Sequence, residues 1–161
     1  MTKRDFLEAY QVRESLETLG VRLAVPRLTD DELAGLDEQI ELMDVHAASG
    51  DVDAFFEANG SFHASLVEAS QNRKLIEVYH RLIAQMGPYR RPSARLRGNV
   101  EESIAEHREL ASAARDRDVD RAVAIIMKHI EVPQRMIATM SEDEFARSAG
   151  LPPVSGDGQA R

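Results

Sequence analysis

Apolar residues in this chain return at steps of three and four in every long segment, and nowhere do they alternate. That period belongs to the α-helix and excludes a sheet-based core. The clearest instance is "TDDELAGLDEQIELM", where Leu33, Leu36, Ile40 and Met43 form one stripe. Thr29 and Glu32 supply a capping box ahead of it, acids fill its first turn, and Gly50 ends it. An earlier helix runs from about Asp5 to Val25, with Leu16, Leu19 and Leu23 as its stripe, and stops before Pro26. Asp51 or Asp53 caps a third helix reaching about Ala69, and Asn72 a fourth carrying Leu75, Ile76, Tyr79, Leu82, Ile83 and Met86. Asn99 with Glu102 opens a fifth, and Asp118 a sixth, in which Pro133 is expected to kink or end the hydrogen bonding. The expected fold is all-α, an antiparallel bundle of six or more helices.

Composition narrows what such a bundle does. The 161 residues suffice for one domain with a substantial core. A formal net charge of −8 argues against tracking nucleic-acid phosphates. With no cysteine, disulfides and thiolate metal sites are both excluded. The charged N-terminus is no signal peptide and no apolar run is long enough for a membrane span, so a cytoplasmic location without membrane contact is expected. Residues 141–161 are rich in Pro, Gly and Ser and are expected to form a disordered tail. The connector "GPYRRPSARLRG" carries Arg90, Arg91, Arg95 and Arg97, expected to face solvent.

Within the helical stripes stand polar residues that a core does not accept without partners. In "FFEANGSFHASLVEAS", Asn59 and His63 lie one helical turn apart among phenylalanines. His107 lies between Ile104 and Leu110, and His129 shares its face with Ala122, Ile125 and Ile126. His46 and His80 fall on mixed, outer faces. Burying an imidazole without a partner costs about 1–3 kcal/mol. Each histidine is accommodated either by a local hydrogen bond or by one divalent ion that satisfies all three. Neutral imidazoles with an oxygen donor suit Zn, Ni, Fe, Mn or Co without selecting among them.

Taken in order, "QVRESLETLGVRLAVPRLTDDEL", "NGSFH", "ASQNRKL", "SIAEHREL" and "RAVAIIMKHI" resemble the effector-binding C-terminal domain (FCD) of FadR-type GntR transcriptional regulators. The resemblance spans about residues 5–140, so residues 1–140 are expected to be an effector-binding and dimerisation domain. It implies an internal cavity beside a divalent metal, with ligands at Asn59, His63, His107 and His129. It further implies a small carboxylate effector, met by Arg13 of the "R..LE" pattern, and a homodimer. Asn59 stands where the family's pattern has an acid, which removes one negative charge from the ligand set. DNA is expected to be reached only through a winged helix-turn-helix that this chain does not carry.

The expected role is therefore a sensor, not an enzyme. Two alternatives remain open: a small metal-dependent hydrolase, or a metal-free dimerisation bundle with hydrogen-bonded core histidines. Hydrolysis needs a general base as well as an open metal position. The nearest acids, Glu57 and Glu106, are expected to point away from the site, Glu106 toward solvent. Arg13 also has a plainer reading, as a surface partner of Glu17 at i+4.

Overall fold

A computed structural model describes residues 1–96 and 100–148, with side chains described for residues 1–87 and 100–148. It contains α1 (Lys3–Ala24), α2 (Asp30–Ser49), α3 (Val52–Ala69), α4 (Arg73–Leu96), α5 (Val100–Arg115), α6 (Val119–Ala138) and α7 (Glu142–Ser148). Among neighbours in sequence, α2 packs on α3, α3 on α4 and α5 on α6, as in an antiparallel bundle. Against α1 lie α3, α4 and α6; α2 packs on α3 and α5, and α5 on α6. The core includes Phe6, Tyr10, Leu36, Met43, Phe62, Leu66, Leu110, Ile126 and Ile130, all buried. Each such side chain contributes about 1.5–3 kcal/mol on leaving water.

The helix starts follow local chemistry. Thr29 and Glu32 exchange side-chain-to-backbone bonds of 3.2 and 2.7 Å, Asp51 caps α3 at Ala54 N, and Asp118 caps α6 at Arg121 N. Asn72 accepts from the amides of Lys74 and Leu75 at the head of α4. Gly50 ends α2 in the left-handed region at φ 72°. Asn99 and the side chains of Arg90, Arg91, Arg95 and Arg97 lie outside the described residues.

Three expectations are corrected. The buried face of α1 holds Phe6, Tyr10, Arg13, Glu17, Gly20, Val21 and Ala24, whereas Leu19 is exposed. The leucine stripe instead flanks α4, where Leu16 and Leu23 are half-buried beside Val67, Leu75 and Tyr79. Second, part of the expected tail is folded: α7 begins with a capping pair, Ser141 with Glu144. Its Phe145 is buried with its ring 5.5 Å from that of Phe6. Third, Pro133 does not end α6, which continues to Ala138. Proline brings no amide, so the helical bond that residue 133 would give the His129 carbonyl is missing there.

Gly20 sets how closely α1 approaches α3. A Cβ at this position would sit 3.1 Å from Val67 Cγ2 and 3.2 Å from Val67 Cα. Glycine costs a helix interior about 1 kcal/mol relative to alanine, and here it permits backbone contact one turn from Glu17.

Candidate metal centre

Three helices deliver one imidazole each to the same point. His63 from α3 and His107 from α5 are 1% exposed, and His129 from α6 is 6% exposed. Each offers a ring nitrogen, and the three nitrogens lie within 4.8 Å of one another. His63 Nε2 and His107 Nε2 are 3.3 Å apart. The helical stripes that carried these histidines in the sequence thus meet in the interior.

The Nδ1 of each histidine is engaged by an acceptor. His63 Nδ1 meets Glu17 Oε2 at 2.6 Å, His107 Nδ1 meets the Ser103 carbonyl at 2.6 Å, and His129 Nδ1 meets Glu106 Oε2 at 2.8 Å. A carbonyl or an ionised carboxylate only accepts, so Nδ1 carries the proton in all three rings. In the neutral ring Nε2 then carries the lone pair. Two lone pairs facing each other at 3.3 Å repel unless a cation or an added proton lies between them. Ligand nitrogens about 2.0–2.1 Å from a tetrahedral ion are separated by about 3.3–3.4 Å. The donor set and this spacing fit a bound divalent ion, and the carboxylates and carbonyl behind the rings are the usual orienting partners of metal-bound histidine.

Glu17 and Glu106 were not visible as site residues in the sequence. Glu106 does not face solvent as expected: it is 9% exposed, with its second oxygen 3.9 Å from Lys128 Nζ. Glu17 is 1% exposed and divides its carboxylate, Oε2 to His63 and Oε1 to Arg13 Nε at 2.6 Å. Arg13 is therefore not a surface residue; it pairs with Glu17 inside the bundle, and its guanidinium lies 5.3 Å from the centre of the Tyr10 ring. Burial opposes the Glu17 charge, but Arg13 and His63 outweigh it and hold the carboxyl below the usual range. Burial likewise opposes the Arg13 charge, and Glu17, Tyr10 and Tyr79 outweigh it, holding the guanidinium above its ordinary value. Among the described residues, no hydrogen-bond acceptor is placed on the terminal nitrogens of Arg13.

Asn59 lies half-buried one turn before His63 on α3. Glu57, also on α3, lines a cleft of about 500 Å³ between α3 and α4 together with Asp53, Phe56, Tyr79, His80 and Ile83. None of the three histidines lines this cleft, so it is not the ligand cavity expected beside them. His80 is exposed and bonds Glu68 at 3.0 Å. No helix among the described residues is long and apolar enough to cross a membrane.

Comparison with known proteins matches residues 8–132 to the FCD domain family. The chain is 33% identical over 86 residues to the HTH-type transcriptional regulator McbR of Escherichia coli (strain K12), which spans 53% of this chain and 39% of that protein. It is 32% identical over 130 residues to the Nta operon transcriptional regulator of Aminobacter aminovorans, spanning 77% of this chain and 57% of that protein. In structure it superposes on E. coli McbR/YncC with a TM-score of 0.74 at 23% identity, covering 81% of this chain and 63% of that one. A GntR family member from Pseudomonas syringae pv. tomato str. DC3000 gives 0.74 at 24% identity, covering 93% and 61%. These superpositions establish the shared helical fold. The chain thus spans less than two thirds of the length of each of these relatives.

Proposed function

The chain belongs to the FCD domain family of GntR-type transcriptional regulators, and on that premise we propose that it is the ligand-sensing domain of such a regulator, binding a divalent metal and a small organic acid. The observation that carries this reading is the set of three buried imidazoles, each with its Nδ1 engaged, that bring one ring nitrogen apiece within 4.8 Å of one another, His63 and His107 through Nε2. His63, His107 and His129 hold the ion, and Asn59 offers a neutral amide oxygen as a weaker fourth donor. Zn, Ni, Mn, Fe and Co all accept such a set. A divalent ion held there supplies a Lewis-acidic position for an anionic oxygen.

The residues around the histidines favour an anion as effector. Arg13 and Glu17 cancel each other's charge, and Glu106 offsets only part of a dication. With neutral Asn59 among the donors, the loaded centre stays net positive. The terminal nitrogens of Arg13 present a planar donor fork suited to a carboxylate. Turnover is less well supported, because the two buried carboxylates near the centre, Glu17 and Glu106, stand behind His63 and His129 as their hydrogen-bond acceptors.

Effector binding regulates only to the extent that it discriminates between two arrangements of the regulator. In this reading those arrangements are two geometries of a homodimer, and they differ in how attached winged helix-turn-helix domains meet DNA in the cytoplasm. Elemental analysis and calorimetric titration of the wild type and H107A test the proposal. Stoichiometric divalent metal is expected in the wild type and lost in H107A. A folded wild type that takes up no metal after chelator treatment and reconstitution leaves a metal-free dimerisation bundle.

A further inference from the structure

We infer that Glu17 is a coupling residue, through which occupancy of Arg13 by an anion sets the metal affinity of His63. This rests on the sensing role proposed above and adds the route by which its two ligands communicate. Glu17 stands between the two sites with both oxygens committed at 2.6 Å, one to each. The Arg13, Glu17 and His63 side chains are 5%, 2% and 0% exposed. In such dry surroundings a change in one hydrogen bond is felt by the next, because little solvent screens it.

The direction of the effect follows from the chemistry of the pair. An anion bound to the terminal nitrogens of Arg13 draws on the guanidinium charge and weakens its hold on Glu17 Oε1. Glu17 then accepts more strongly from His63 Nδ1–H, and a stronger acceptor behind an imidazole raises the donor strength of Nε2. Anion and metal therefore bind with positive cooperativity, and linkage requires each to tighten the other by the same factor.

Glu106 provides an internal control. It holds His129 Nδ1 at 2.8 Å, much as Glu17 holds His63, and the charge near its other oxygen is Lys128, not Arg13. Loss of Glu106 removes support from one ligand without cutting the route from Arg13.

The test is calorimetric titration of the full chain with Zn²⁺ in the presence and absence of saturating acetate, for wild type, E17Q and E106Q. In the wild type, acetate is expected to tighten Zn²⁺ binding within the usual coupling range of about 5–150-fold. E17Q is expected to bind Zn²⁺ with that factor reduced to about twofold or less, while E106Q binds Zn²⁺ more weakly and keeps the wild-type factor. An unchanged factor in E17Q, or an equal loss in E106Q, overturns the inference. Should E17Q not fold, E17D keeps the buried charge but is one methylene shorter, so that one carboxylate no longer spans Arg13 and His63, and it faces the same criterion. Nitrogen-15 imidazole spectra of the metal-free protein give a second readout. His63 should hold its proton on Nδ1 in wild type and E106Q and shift toward Nε2–H in E17Q, and an unmoved tautomer in E17Q counts against the inference. A wild type that binds Zn²⁺ or acetate not at all overturns the sensing role and the coupling together.

Discussion

Glu17 meets His63 Nδ1 at 2.6 Å across a separation of 46 residues, while Arg13, one turn earlier on the same helix, grips the other oxygen of that carboxylate. The first helix thereby reaches a centre whose three histidines all come from elsewhere in the chain.

Removing any one imidazole should undo the centre. H63A, H107A and H129A are each expected to lose more metal affinity than the 10–100-fold typical of losing an orienting partner. Saturating metal at about 100 times its Kd adds about 2.7 kcal/mol to wild-type stability. For a chain of this size that raises Tm by about 5–10 °C. Thermal unfolding with and without chelator should show that rise in the wild type and none in the three variants.

Acid should act in two stages. Coordination needs neutral imidazoles, whose free pKa is about 6.5, so metal affinity should fall below about pH 6. The second stage belongs to Glu17, whose folded pKa lies below the ordinary 4.5. Its stabilising contribution is complete above that ordinary value and is lost as pH falls through the lower, folded one. Urea unfolding of metal-free wild type and E17Q should show a stability difference that persists to about pH 5 and shrinks below about pH 4. A difference that vanishes by pH 6 contradicts this assignment.

Asn59 predicts an exchange between the two ligands. N59D places a carboxylate beside the ion and should tighten metal binding at least about tenfold, a gain of about 1.4 kcal/mol. The same added charge cancels the net positive centre, so carboxylate binding should weaken in N59D. Parallel titrations with Zn²⁺ and with acetate check both signs.

Gly20 tests whether helix spacing controls the site. In G20A the new methyl meets the Val67 backbone, which cannot rotate aside as a side-chain tip would. Overpacking of about 1–3 kcal/mol, less about 1 kcal/mol gained in helix propensity, leaves a net loss of up to about 2 kcal/mol. Because α1 must withdraw from α3 one turn from Glu17, metal affinity should fall together with denaturant midpoint.

How much of this was legible in the sequence depended on whether local spacing carries the signal. His63, His107 and His129 sit on apolar helical stripes, so their burial could be read directly. Glu17 could not be found that way, since Arg13 and Glu17 at i+4 look the same whether the pair faces water or the core. Leu16, Leu19 and Leu23 then drew the buried face toward α4, because leucine is the more hydrophobic choice and only tertiary contact reveals that Tyr10, Glu17 and Gly20 face inward. Glu106 shares neither stripe nor spacing with His129, and only the packing of α5 on α6 joins them. Ser141 and Glu144 are a different case: the capping signal was present in the sequence, and the surrounding Pro/Gly composition hid it.

Pro133 gives α6 a weak point close to His129. Its ring withholds a rung from the backbone ladder at the carbonyl of His129, one turn below an inward-facing imidazole. A rod weakened at that height bends there first. His129 thus sits at the least tied level of α6, while the helix below it is packed through Ile137 and held by Lys3 at the carbonyls of Ala138 and, just past the helix, Met140.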